Sequence, residues 1–281
     1  MKKMICLIFT VFIMVNLGSA GPLIWRSAKT IPGGGAIFQM NLSYSKIVRS
    51  WSWTDEEWND IPDASQTTVM GAHFMLGYAP IPKLELLAHV PLLKKDKDTL
   101  SSFGLQDVWA KVRYNFIGEK TKPFITGVAA VRIPAADEDA SPGLDDRTLD
   151  IGAGLIYFQK FSNILLHMRA GYWYNGKTDS DTDVGDAVEV LFKPEYMFNK
   201  KVKVFMCLCF VETFQAKDSS GTSIDNTQKR RLTLTPGLVA TPAPGLKIRP
   251  KFIYPLEMVS QGGSNFPWKV GFDVWYVANF W

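Results

Sequence analysis

The side chains in this chain best suited to chemistry are few. They are His73, His89 and His167, with Cys207 and Cys209 once Cys6 is set aside in the leader described below. On extended backbone joined by a short turn near residues 79 to 82, His73 and His89 would lie nearly opposite each other, within reach of a shared proton or metal. A metal would need a third ligand, and Glu85 is the nearest candidate. Four residues along a strand is about 13 Å, so no metal site is read and the pair is expected to hydrogen-bond. Cys207 and Cys209 would share a face about 7 Å apart, too far for an unstrained disulfide, and are expected to be inert. An esterase of the Ser–His–Asn kind in a membrane wall needs its histidine on the outer face. All three histidines take the opposite parity. No catalytic residue and no cofactor is read, and an enzyme is not expected.

Charge is the second kind of chemistry. At alternate positions, and on the same parity as the histidines, stand Lys111, Arg113, Arg169, Lys193, Arg231, Lys247, Arg249 and Lys251, joined by Arg132, Lys203 and Lys269. Against them stand Glu85, Glu189 and Glu195, with Asp107, Asp150 and Asp273. The excess is basic. Charges of one sign on a confined inner surface focus the field and favour anions; alternatively, they pair across neighbouring strands and satisfy one another. Sequence alone leaves both readings open.

These residues are positioned by a period of two rather than 3.6. It divides the chain into twelve segments: 35–48, 68–78, 83–91, 104–117, 123–132, 149–159, 163–174, 187–198, 202–215, 229–240, 246–256 and 268–281. In 246–256, Lys247, Arg249 and Lys251 alternate with Leu246, Ile248, Phe252 and Tyr254. A soluble sandwich would show the same alternation, but the connections differ. Links 49–67, 92–103, 133–148, 175–186, 216–228 and 257–267 are long and polar, whereas those at 79–82, 118–122, 160–162, 199–201 and 241–245 are short. Long and short links in strict turn are the mark of an all-β, antiparallel transmembrane barrel, here of about twelve strands with both termini periplasmic. Aromatics near the ends of the apolar faces (Tyr44, Tyr157, Tyr172, Tyr174, Tyr196, Tyr254, Trp268) suit interfacial girdles.

Lys2 and Lys3, the apolar run Met4 to Leu17, and small residues Gly18 and Ala20 read as an export signal. The expected organisation is a cleaved signal peptide at 1–20, a short periplasmic segment at 21–34 and the barrel at 35–281. Without Lys2 and Lys3 the formal net charge of +4 falls to +2, which gives no reason to expect a nucleic-acid partner. The expected setting is the outer membrane of a Gram-negative bacterium. Expected partners are outer-membrane lipid and lipopolysaccharide, the barrel assembly machinery and a small-molecule solute, with the barrel a monomer. A second reading rests on Trp51, Trp53 and Trp58 and on acidic loops around Asp137 to Asp146 and Asp179 to Asp186: a non-conducting barrel that binds or adheres through its loops.

The stretch Tyr78-Ala-Pro-Ile-Pro-Lys-Leu-Glu-Leu-Leu-Ala-His-Val-Pro-Leu, then Gly104-Leu-Gln-Asp-Val-Trp-Ala-Lys-Val-Arg-Tyr114, resembles the outer-membrane proteins grouped under meta-pathway phenol degradation. Ala130-Val-Arg-Ile-Pro-Ala-Ala-Asp137 through Asp146 to Asp150-Ile-Gly-Ala-Gly-Leu155 resembles them too, so the likeness covers about residues 70 to 175. The resemblance implies a porin-like channel or transporter for small organic compounds, aromatic or anionic, and supplies no catalytic residues. The fatty-acid uptake barrels are similar in role but carry an N-terminal plug, for which residues 21–34 are too short.

Overall fold

The computed structural model describes residues 28–118, 123–145, 147–178 and 181–279. The expected leader, residues 21–27 and the terminal Phe280 and Trp281 lie outside them. Twelve antiparallel strands form the wall: β1 Gly35–Ile47, β2 Thr67–Ile81, β3 Leu84–Lys97, β4 Val108–Ile117, β5 Phe124–Ile133 and β6 Asp150–Phe161, then β7 Ile164–Tyr174, β8 Ala187–Met197, β9 Val202–Thr213, β10 Lys229–Ala243, β11 Leu246–Pro255 and β12 Lys269–Asn279. Each pairs with the next, and β1 pairs with both β2 (Met40↔Phe74) and β12 (Met40↔Val274). The sheet is closed. Twelve strands about 4.8 Å apart, tilted about 40°, enclose a backbone cylinder roughly 12 Å in radius.

Side chains alternate across this wall as the period demands. In β4, Trp109, Lys111, Arg113 and Asn115 are buried and Ala110, Val112, Tyr114 and Phe116 exposed. The exposed set is apolar all round the barrel: Leu76 is 61% exposed, Leu155 56% and Met206 52%. A soluble protein could not carry such a band; a barrel in lipid requires it. The aromatics expected at the interfaces face outward, and Trp268 packs against Tyr44 and Phe252 at 6.1 Å.

Two segments differ most from the sequence reading, while those expected at 68–78 and 229–240 each run three residues further, to Ile81 and Ala243. The segment expected at 83–91 runs on to Lys97, paired with β2 out to Thr67↔Lys97. The segment expected as one strand at 104–117 is two: Leu100–Leu105 folds back on the upper part of β3, and β4 starts only at Val108. Pro91 explains the break. Pairing of β3 changes from β4 to Leu100–Leu105 around it (His89↔Trp109, then Leu92↔Leu105), and proline has no N–H to carry a ladder through. Gln106 and Asp107 bulge away there. Above the wall, Arg49–Ser52 and Glu57–Asp60 form a hairpin extended by Ser264–Asn265.

Candidate functional site

The lumen gathers what the parity separated. All three histidines, Lys111, Arg113, Arg169, Arg249, Lys251, Glu85, Glu189 and Glu195 are buried on the inner face. Lys193, Arg231 and Lys247 stand on the same inward register but keep some exposure. Many of these charges are paired. Near the periplasmic end Arg113 Nη1 meets both oxygens of Glu85, at 3.1 and 3.0 Å, with the side chains 1% and 0% exposed. Asp273 accepts from Arg249 Nε at 2.5 Å and Asn41 Nδ2 at 2.5 Å and lies 3.1 Å from Lys251 Nζ. Glu195 holds Lys193 at 2.6 Å and Lys203 at 3.6 Å and lies 3.4 Å from His167 Nε2. Arg169 and Glu189 are 3.7 Å apart. Toward the outer mouth Arg132 pairs with Asp150 and lies 3.8 Å from Asp145 of the loop after β5.

His73 and His89 do not form the hydrogen-bonded pair expected. The register sets Met75 opposite His89 and His73 opposite Pro91, so the imidazoles are diagonal neighbours whose rings stack at 5.2 Å. The stack continues edge-on to Trp109 at 5.0 Å and from Trp109 to Trp173 at 5.8 Å. The Lys111 ammonium sits 4.2 Å above the Trp109 ring, a cation–π contact. Among the described residues no group of three His, Cys, Asp or Glu side chains could hold a metal ion. Cys207 is a free thiol packed with Phe205 and Val239.

The N-terminal segment is the part sequence reasoning missed. Residues 28–34 pass inside the wall rather than hanging below it. Ala28 is fully buried among Val128, Ala130, Ile156, Phe158 and Leu165, and its carbonyl accepts from Thr126 Oγ1 at 2.5 Å. Ile31 packs on Ile37, Met75, Ala79 and Leu87, and its N–H donates to Glu85 Oε2 at 3.1 Å. A buried amide must find an acceptor. The carboxylate that neutralises Arg113 supplies it.

At the outer mouth the loops turn inward or onto one another. Leu144 and Ala136 pack against Val69 and Leu93, and Phe266 lies under the Arg231 guanidinium at 5.8 Å. Asp107 accepts from the Ala135 and Ala136 N–H groups, yet its burial outweighs them and raises its pKa. The tryptophans of the hairpin are not free: Trp51 packs edge-on to Trp53 and Trp58, and Trp58 Nε1 donates to the Ser260 carbonyl.

A closed twelve-stranded antiparallel barrel with an apolar outer band and a charged interior is a transmembrane barrel of the Gram-negative outer membrane. Solved structures share the fold. An outer membrane channel from Pseudomonas putida F1 matches with a TM-score of 0.75 at 10% identity, over 92% of this chain and 100% of that one. The β domain of the Bordetella autotransporter BrkA matches with a TM-score of 0.51 at 14% identity, over 87% of this chain and 99% of that one. The translocator domain of the autotransporter NalP from Neisseria meningitidis gives 0.51 at 10% identity, over 88% of each chain. No family model and no curated protein matches the sequence.

Proposed function

We propose that this barrel is a passive channel for small organic solutes that favours anions. The observation that carries the reading is the basic excess on the inner face, where Asp273 and Glu195 each face more than one cation. A wall of low dielectric strengthens that field. The Pseudomonas putida protein of the same fold is described as an outer membrane channel. The resemblance around residues 70 to 175 points to aromatic or anionic compounds, and the Trp109, His89 and Lys111 cluster sets aromatic rings beside a cation on the inner face.

The lumen is narrow. Side chains fill an eight-stranded barrel, and sixteen strands leave a channel; here the N-terminal segment occupies part of the space between. Single-channel conductance in a planar bilayer under a salt gradient tests the proposal. Small, steady steps with an anion-selective reversal potential are expected, and Lys247→Glu should move that potential toward cations. A folded barrel that never conducts would sink the reading and favour action through the loops. The loop reading has less support because Trp51 already packs edge-on against Trp53 and Trp58, which leaves all three half-buried.

A further inference from the structure

The wall is not equally sealed all round. Between β10 and β11 pairing survives only at Thr233, Leu234, Gly237, Ala240 and Ala243, opposite Pro255, Tyr254, Lys251, Ile248 and Leu246. The cause is chemical. Leu256 N–H donates to the Leu232 carbonyl, which makes the even-numbered residues of β10 the positions that exchange N–H···O bonds with β11. In that register Pro236 faces Phe252 and Leu238 faces Pro250. Neither proline has an N–H. The carbonyls of Phe252 and Leu238 therefore lose their ladder donors, in a part of the wall where lipid supplies none.

What closes this seam is a side chain. Between the two prolines β10 carries Gly237, and the Phe205 ring lies against it from the lumen; a Cβ there would collide with that ring. Phe205 is flanked by Cys207, Val239 and Leu191, an apolar patch bordered by charged side chains. Lys193 and Arg249 lie over the ring at 5.5 and 5.9 Å. The outer side of the seam is apolar as well, with Leu238 and Phe252 exposed to lipid.

We infer that the wall between β10 and β11 is a lateral port, closed by Phe205, through which an apolar small molecule passes between the lumen and the bilayer. Two missing ladder bonds lower the cost of parting these strands. The glycine lets one ring seal the gap, and the apolar patch admits a solute that the surrounding charges would exclude. The port goes beyond axial conduction, which requires no break in the wall.

Cys207, on β9 beside Phe205 and in the same apolar cluster, reports on the seam. The experiment uses barrels purified from membranes, carrying Cys209→Ser and reconstituted in vesicles. They are treated with pyrene maleimide dissolved in the bilayer or with a charged methanethiosulfonate in the water. The bilayer reagent is expected to label Cys207 about tenfold more slowly once Pro236→Val and Pro250→Val restore the two donors, and several-fold faster with Phe205→Ala. The charged reagent should be indifferent to the proline replacements. Should the double variant fold poorly, by loss of heat-modifiable gel mobility, Pro250→Val alone tests one of the two bonds, that to the Leu238 carbonyl. An unchanged rate for the bilayer reagent in a folded proline variant overturns the port, as does a parallel slowing of both reagents, which would place their route along the axis. A barrel that does not conduct but keeps the labelling difference would overturn the channel proposal and leave the port standing.

Discussion

Between β2 and β3 the ladder runs without a gap from Thr67↔Lys97 to Tyr78↔Leu86, whereas between β10 and β11 it is broken on both sides of Gly237. Both regions are lined by large side chains, but they are sealed differently. Behind β2 and β3 the N-terminal segment and the Glu85–Arg113 pair press on a wall that is already complete. Behind β10 and β11, Phe205 covers a wall that is not. Proline occurs in both regions. In β3, Pro91 falls where the strand changes partner and costs only the bulge at Gln106 and Asp107, while in β10 and β11 both prolines face each other's strand. Wall integrity is set by which neighbour a proline faces, not by how many prolines a strand contains. Pro194 in β8 repeats the pattern on a smaller scale, with pairing to β9 missing between Phe192↔Leu208 and Glu195↔Phe205.

Four measurements sharpen or break that contrast. The largest effect is expected from Glu85→Ala, which takes the carboxylate away from a buried guanidinium and from the Ile31 amide. Removing one partner of a buried pair costs about 3–5 kcal/mol, to be read from urea unfolding in lipid vesicles. A loss below about 1 kcal/mol would mean that the first region does not depend on its ion pair. Next, Pro236→Val with Pro250→Val should stabilise the barrel, since each restored bond is worth about 0.5–1.5 kcal/mol; the same substitution at Pro194 should give about half the gain.

Third, Thr126→Val removes the hydroxyl that holds the Ala28 carbonyl, at a cost of about 1 kcal/mol. It should loosen the N-terminal segment and raise single-channel conductance, and unchanged conductance would show that the segment does not narrow the path. The smallest effect concerns the loop 214–228. The Asp218 carboxylate accepts from the Ser220 hydroxyl and from the Thr222 and Ser220 N–H groups, which lower its pKa. A depressed folded value means that the carboxylate's contribution is complete above the unfolded pKa of about 3.9 and is lost as pH falls through the lower folded value. The amide resonances of Ser220 and Thr222 should hold steady from pH 7 to 5 and move together only below about pH 4. A transition at pH 5 or 6 would contradict the bonding.

Much of the wall was legible because strand geometry is local. Lys247, Arg249 and Lys251 must share a face whatever lies beyond them, and the twelve segments and the alternation of long and short links follow from chain order. Partners were not legible. Parity assigns Arg113 and Glu85 to the lumen but does not say that they meet, and it gave no warning that His73 and His89 would stack two residues out of register. Residues 28–34 carry no alternation at all, so nothing in them indicated a place inside the wall.

The chain by itself determined which residues face lipid and which face inward, because the two-residue period belongs to the extended backbone and holds strand by strand. Tertiary structure alone decided what the inward residues do. Asn41 reaches Asp273 across 232 residues only because β12 closes on β1, and Phe205 seals Gly237 only because register brings a ring opposite a residue with no side chain. Such contacts depend on the relative stagger of strands around the whole barrel, a quantity that no stretch of sequence contains.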